Sequence, residues 1–259
     1  MKILKEKEKV EAFWQKVAKG RVRRLLMLDY DGTLSPFVAE RLKAYPYPGV
    51  PEILERILDS SKNRVVIISG RNALEVKELL GLNVPVEIWG GHGMERLLPS
   101  GRLVQVPVSR ESEKVFNQVE EWADHEGLSR SLEEKHGSMA FHVRGMGKSR
   151  ADRLLEEATE FFKEVSSGSD LKVNAFDGGV ELRTRGVDKG RVVRELLEDF
   201  DKNCACSYYG DDLTDEDAFS ALDGSGVSFL VRKKIRQTNA DVWIIPPDEL
   251  KECLARYIL

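Results

Sequence analysis

Cysteine is scarce in this 259-residue chain, which has three: Cys204, Cys206 and Cys253. An odd count at this spacing does not suit a disulfide framework; it indicates reduced thiols and a cytoplasmic protein. Cys204-Ala205-Cys206 is not a CxxC pair, and its two thiols, sharing one strand face, read as small buried residues. The four histidines show no HExxH or similar spacing, which argues against zinc. No apolar run approaches the length of a membrane span. The N-terminal stretch MKILKEKEKVEAFWQKVAKG has neither the apolar core nor the small-residue cleavage site of a signal peptide. Lys and Arg are scattered and the formal net charge is −4, so nucleic acid has no electrostatic footprint here. Repeats and low-complexity linkers are also missing. What is present, 41% hydrophobic and 32% charged residues, is the balance of a soluble globular protein with room for one large domain or two modest ones.

Apolar patterning organises the chain. Val10, Phe13, Trp14 and Val17 have the spacing of a peripheral amphipathic helix within residues 4–19. Residues 23–28 form an apolar run closed by Asp29-Tyr30-Asp31-Gly32-Thr33, which reads as a buried strand ending in a polar turn. A helix over 51–58 starts at Pro51. A second buried strand over 64–68 ends at Ser69-Gly70-Arg71, a helix over 73–80 closes on Gly81, and a third strand over 86–89 ends at Gly90-Gly91-His92-Gly93. Strand and helix alternating in this way predict a parallel sheet flanked by helices.

The rhythm changes in the middle. Residues 113–123 read as a helix, and 138–144 as an alternating strand with Met139, Phe141 and Val143 on one face and Ala140, His142 and Arg144 on the other. A helix over 148–165 opens with Ser149 and Asp152 at the spacing of a capping box. Strands over 171–175 and 180–183 follow. Helices on one face of a small, largely antiparallel sheet fit this stretch, which is placed at 109–184 as an inserted domain. The outer segments, 1–108 and 185–259, then form one discontinuous core. Its second part predicts a helix over 189–200, a strand over 205–209 ending at Gly210-Asp211-Asp212, a short helix over 215–222, strands over 227–230 and 242–245, and a closing helix over 247–258.

Four polar sequences then stand out: Asp29-Tyr30-Asp31-Gly32-Thr33, Ser69-Gly70-Arg71, Asp188-Lys189-Gly190, and Gly210-Asp211-Asp212 with Asp215. Ligands of open α/β sheets collect beyond the C-terminal strand ends, where such loops converge. Asp29 and Asp31 point the same way if strand geometry continues, and carboxylates that close repel unless a cation lies between them. Carboxylate oxygens with retained water and substrate phosphate suit Mg²⁺. Asp211 supplies a further carboxylate; Asp212 and Asp215 either bind the ion or orient its water, and the spacing leaves both open.

Such a cation offsets the repulsion between an anionic nucleophile and a phosphate monoester, and Lys189 adds positive charge as the phosphoryl group moves. Asp29 is assigned as covalent nucleophile and Asp31 as general acid and base. Ser69 offers a hydroxyl donor to phosphate, and Gly70 permits close backbone approach. Each element alone has an ordinary explanation: a polar turn, a weak tripeptide, a helix start, a solvated acidic helix end. Their order and placement together favour phosphoryl transfer. Gly145-Met146-Gly147-Lys148-Ser149 imitates part of a P-loop, but His142 stands where the first glycine is required, so it reads as a turn and helix cap.

These four motifs resemble those of the haloacid-dehalogenase-like phosphatases. The resemblance spans nearly the whole chain and implies a Rossmann-like parallel-sheet core with an inserted α/β cap domain of the second cap class. Within that superfamily the chain is more closely similar to trehalose-6-phosphate phosphatases. The run Gly210-Asp211-Asp212-Leu213-Thr214-Asp215-Glu216-Asp217-Ala218-Phe219 resembles their extended fourth motif, and Gly49-Val50, His92-Gly93 and Val187-Asp188-Lys189-Gly190 also match. The resemblance implies a Mg²⁺ site of Asp29, Asp211 and the backbone carbonyl of Asp31. It implies substrate contacts from Arg71, His92, Lys135, His142, Arg144 and Glu181, the cap residues among them lying in Glu134–Arg144 and Val180–Arg183. The chain departs from the family at Thr184, where many members have proline, and at Asp177-Gly178-Gly179, where a Gly-Lys pair is common; the second departure bears on the sugar.

Read without the resemblance, His142 with Arg144, and Glu181 with Arg183, give two strands a polar face able to meet hydroxyl groups and phosphate. A cap carrying that face also serves as a lid that excludes water. With the resemblance, the expected function is hydrolysis of trehalose 6-phosphate. The alternatives are another sugar phosphate, such as glucosyl- or mannosyl-glycerate phosphate, a phosphomutase using the same covalent intermediate, and a non-catalytic sugar-phosphate-binding module. The expected partner is a small-molecule sugar phosphate, with no nucleic acid and no membrane; oligomeric state is not legible.

Overall fold

The computed structural model describes residues 1–20, 22–38, 40–176, 178–200 and 203–258. They divide into two compact units, one of Met1–Val104 with Asp188–Leu259 and one of Gln105–Val187. In chain order the first unit holds β1 (Lys2–Ile3), α1 (Lys7–Ala18), β2 (Arg24–Leu28), α2 (Val50–Leu58), β3 (Asn63–Ile68), α3 (Ala73–Leu80), β4 (Glu87–Gly90), β5 (Glu95–Leu97) and β6 (Leu103–Gln105). The second unit supplies α4 (Arg110–His125), β7 (Leu132–Lys135), β8 (Ser138–His142), α5 (Lys148–Val165), β9 (Leu171–Phe176) and β10 (Gly179–Thr184). The first unit resumes with α6 (Lys189–Glu198), β11 (Ala205–Gly210), α7 (Glu216–Leu222), β12 (Gly226–Val231), β13 (Val242–Ile244) and α8 (Asp248–Ala255).

The core sheet has the order β1-β13-β12-β11-β2-β3-β4-β5-β6. Its centre, from β13 to β4, is parallel throughout, and β1 and β5 pair antiparallel at its flanks. β2 is buried along its whole length, as expected of a central parallel strand covered on both faces. Its period-two alternation divides it between two layers. Leu26 and Leu28 join a cluster with residues of α1, α2, α3 and α8; Leu25 and Met27 join one with residues of α6 and α7. Burying each such leucine contributes about 1.5–3 kcal/mol as an upper estimate. β2, β3 and β11 all end where polar sequence begins, so Asp29, Ser69 and Asp211 emerge at neighbouring C-terminal strand ends.

The second unit is a four-stranded antiparallel sheet, β7-β8-β10-β9. Met139, Phe141, Val180 and Leu182 pack with Val119 of α4 and Phe162 of α5. Alternation therefore places Glu133, His142 and Glu181 on the sheet face away from that cluster. This unit is wider than the expected insertion, 109–184, because its leading segment is tied in: His136 Nε2 contacts the Val106 carbonyl oxygen at 2.7 Å.

Several local expectations change. α4 begins at Arg110, not 113, because the Ser109 hydroxyl accepts from the Ser112 amide at 3.1 Å. The capping box expected at Ser149 and Asp152 is not formed. Gly147 is the N-cap of α5, and Asp152 accepts from the Lys148 ammonium at 2.8 Å instead. β8 stops at His142, so Arg144 lies beyond the strand that was expected to carry it, its Cγ beside Gly178. The departure at Asp177 falls outside the described residues. Among the described residues the three cysteines are buried and unbridged, with the Cys204 and Cys206 sulfurs 2.9 Å apart, and no helix is long and apolar enough to cross a membrane.

Candidate active site

The Asp29 amide donates to the Tyr209 carbonyl at 2.8 Å, extending the β2–β11 ladder by one residue. A tight turn follows, in which the amides of Leu34 and Ser35 donate to the Tyr30 carbonyl and that of Gly32 to Ser35. Gly32 has φ +80°, and a Cβ there would lie 2.3 Å from the Asp211 carboxylate. Glycine is thus required both for the left-handed conformation and for the approach of this turn to Asp211.

Lys189, the first residue of α6, lies in the centre of the site with its side chain 4% exposed. Its ammonium donates to Asp29 Oδ1 at 2.6 Å and to Asp215 Oδ1 at 2.7 Å. Asp215 is saturated: Oδ1 also accepts from the Tyr208 hydroxyl at 2.7 Å, and Oδ2 accepts from the amides of Asp211 and Asp212 at 3.0 and 2.9 Å. It therefore ties Lys189 to the loop after β11. Asp29 differs, because its Oδ2 is buried without a hydrogen-bond partner.

Carboxylate oxygens of Asp29, Asp211 and Asp215 all lie within 4.8 Å of one another. At about 4 Å a pair of like charges repels by roughly 4 kcal/mol at the effective dielectric of a protein site. One ammonium does not balance three carboxylates. Burial, opposed by Lys189 and reinforced by Asp215, pushes the Asp29 carboxyl up to about 7. Burial and the neighbouring Asp29 push Asp211 up to about 9. Burial works against the charge of Lys189, but Asp215 and Asp29 outweigh it and hold the ammonium above its ordinary value. A site short of positive charge, with an orphaned carboxylate oxygen, fits a divalent cation held by Asp29 and Asp211.

The Asp31 side chain has a cationic partner of its own. The Asp31 carboxylate is gripped by the Arg71 guanidinium, Nε to Oδ2 at 2.6 Å and Nη2 to Oδ1 at 2.7 Å. Arg71 is buried and also donates to the Arg41 carbonyl at 2.9 Å and to Glu75. Glu75 in turn accepts both arms of the Arg41 guanidinium at 3.0 Å. Expected among the substrate contacts, Arg71 thus forms the bridge between Asp31 and a second ion pair. Ser69 is buried after β3, its hydroxyl accepting from the Arg71 amide at 3.1 Å. The His92 ring packs on Gly70, where a Cβ would come 2.6 Å from Nε2. The His92 amide donates to the Ser69 carbonyl at 2.9 Å.

The site residues therefore fall into three groups. Asp29, Lys189, Asp211, Asp212 and Asp215 are brought together; Asp31 pairs with Arg71; Ser69, Gly70 and His92 pack against one another. A cavity of ≈ 360 Å³ opens beside Asp211, walled by Gly32, Phe37, Tyr47, Arg232 and Lys233, a size suited to a small polar ligand. Lys135, His142, Arg144 and Glu181 belong to the second unit. There His142 Nε2 meets Glu133 Oε2 at 2.9 Å, Lys135 Nζ lies 3.5 Å from Glu133, and Glu181 is half-buried opposite Ala140. Tyr208, Glu75 and Arg41 were not anticipated. Tyr208 reads as one more apolar strand residue, and Glu75 and Arg41 read as surface charges.

The profile of the trehalose-phosphatase family matches residues 27–242. A probable trehalose-phosphate phosphatase from rice (Oryza sativa) is 30% identical over 99% of this chain and 72% of its own length. The chain spans 25% to 67% of the length of the other curated relatives it matches, and 25% of two of the first of them. Among solved structures, the C-terminal domain of Candida albicans trehalose-6-phosphate phosphatase superposes with a TM-score of 0.76 over 96% of both chains at 24% identity. The C-terminal domain of a C. albicans trehalose synthase regulatory protein gives 0.73 over 99% of both at 12% identity. At these identities the superpositions speak to the fold, a mixed α/β architecture with a parallel-sheet core, and the side chains must speak to the chemistry.

Proposed function

This chain belongs to the trehalose-phosphatase family, and from that premise we propose that it hydrolyses trehalose 6-phosphate to trehalose and phosphate with Asp29 as nucleophile. The observation that carries the reading is the Asp29 carboxylate itself: buried, held at Oδ1 by Lys189, and unpartnered at Oδ2. An oxygen of Asp29 attacks phosphorus, an O–P bond forms, and the bond between phosphorus and the C6 oxygen of the sugar breaks. Asp31 gives its proton to the departing oxygen. It then takes a proton from the water that attacks the aspartyl-phosphate, and inorganic phosphate leaves as the Asp29 carboxylate is restored. The Arg71 fork uses one lone pair on each Asp31 oxygen and leaves the other free to meet the leaving oxygen or the water.

Lys189, bonded to Asp29 and held above its ordinary value, is assigned to the negative charge that builds on the phosphoryl oxygens. Ser69 and the Gly70 backbone supply further donors to phosphate. Asp29, Asp211 and the Asp31 carbonyl would hold Mg²⁺, while Asp215, already saturated, and Asp212 steady the loop. When bound, the ion neutralises charge on the phosphoryl oxygens and the nucleophile. His92, Lys135, His142, Arg144 and Glu181 are assigned to the sugar and its phosphate as donors and acceptors for specificity.

Phosphate release from trehalose 6-phosphate and from glucosyl- and mannosyl-glycerate phosphates, with Mg²⁺ and with a chelator, tests the reading. Trehalose 6-phosphate should turn over fastest, chelation should stop release, and Asp29→Asn should lower it by at least about 10³-fold. Undiminished release in Asp29→Asn rejects the nucleophile. Faster turnover of another ester rejects the substrate.

A further inference from the structure

The loop bearing Asp211 and Asp212 is held by more than its own motif. Asp215 takes its two amides. Its carbonyls are taken by arginines from the segment after β12: Arg232 Nη1 donates to the Asp211 oxygen at 3.1 Å, and Arg236 Nη2 to the Asp212 oxygen at 2.6 Å and the Asp211 oxygen at 3.4 Å. Arg236 Nη1 donates to the Gln237 carbonyl at 2.8 Å and to Glu216 at the start of α7. Glu216 is itself fixed, accepting from the Thr238 hydroxyl at 2.8 Å and the Asn239 amide at 2.7 Å. Both residues of the loop are therefore gripped through N–H and through C=O.

A planar guanidinium reaches three carbonyls and a carboxylate at once, which an ammonium, a point charge on a flexible stem, does not. Ordering so long a side chain costs rotamer entropy. That cost is sensible where the position of the loop matters, and Mg²⁺ demands near-ideal ligand geometry.

We propose that Arg236, braced by Glu216, is a positioning residue that acts through the main chain of Asp211 and Asp212 to set the Mg²⁺ affinity of the acidic loop. The inference rests on Asp211 being a Mg²⁺ ligand, and the experiment separates the two. Calorimetric titration of Mg²⁺ into the full chain without substrate is compared for the wild type, Asp211→Asn, Arg236→Gln, Arg236→Lys and Glu216→Gln. Asp211→Asn should lose binding. Arg236→Gln should bind about tenfold more weakly, as loss of an outer partner of a ligand does, while kcat at saturating Mg²⁺ returns to near the wild-type value. Arg236→Lys should stay weakened, because it keeps the charge and loses the fork. Glu216→Gln should shift affinity in the same direction, and it carries the test if thermal unfolding shows Arg236→Gln to be misfolded. Wild-type Mg²⁺ affinity in Arg236→Gln, or in Glu216→Gln should that variant carry the test, with binding lost in Asp211→Asn, overturns the positioning role. Wild-type affinity in Arg236→Lys overturns the fork. Wild-type affinity in Asp211→Asn overturns the assignment of the ligand.

Discussion

The two units of the chain treat polar residues in opposite ways. In the first, Asp29, Asp215 and Lys189 have side chains 5%, 0% and 4% exposed and are locked to one another. In the second, His142, Glu133 and Lys135 are 33%, 25% and 18% exposed on one face of a sheet whose other face is the hydrophobic core. The difference teaches what each cluster costs. Charges removed from water must be paired and preorganised, and such a site suits bond making and breaking. Half-solvated charges are cheap to hold and cheap to change, which suits recognition of a sugar.

Substitutions can break that contrast. Lys189→Met should have the largest effect, about 3–5 kcal/mol of stability, because it leaves Asp29 and Asp215 buried without their cation. Chemical denaturation measures it, and a loss below 1 kcal/mol would show that the pocket is wetter than its burial implies. Glu75→Gln probes an intermediate case. Burial raises the Glu75 carboxyl, but Arg41 and then Arg71 outweigh it and leave it below its ordinary value. A depressed carboxyl stabilises the fold above its unfolded pKa and loses that contribution as pH falls through the folded pKa. Wild type should therefore lose stability over the acid range below the ordinary glutamate value more steeply than Glu75→Gln, as melting curves against pH would show. Superimposable acid limbs would remove Glu75 from the network. The smallest effect is expected for His142→Ala, within about 1 kcal/mol of wild-type stability since its partner Glu133 is part-exposed, with KM for trehalose 6-phosphate raised and kcat less affected. A large drop in melting temperature with unchanged KM would make His142 a structural residue.

The parallel core was legible because its strands are apolar on both faces and end abruptly in Asp29, Ser69 and Asp211. Mixed polar strands such as β7 (Leu132–Lys135), with few residues and little alternation, carried no such signal. The false capping box shows the limit of spacing alone. Ser149 and Asp152 are correctly separated, but the helix starts at Lys148, and that lysine takes Asp152. The hidden part of the site is tertiary. Asp31 and Arg71 are 40 residues apart, and Arg236 and Asp212 24 apart, so nothing local marks their pairing. Charged residues in loops look solvated until the fold brings a carbonyl or carboxylate to them.

The insertion also sets a timetable for biosynthesis. β11 pairs directly with β2, and Lys189 with Asp29 across 160 residues of chain. At roughly 5–20 residues per second, a ribosome takes on the order of 10–30 s to deliver Lys189 after Asp29 has emerged. Throughout that interval the central strand keeps a raw edge, the kind of surface on which nascent chains aggregate. A holding chaperone that shields β2 until β11 appears would therefore raise the yield of folded protein more than one acting on the finished chain.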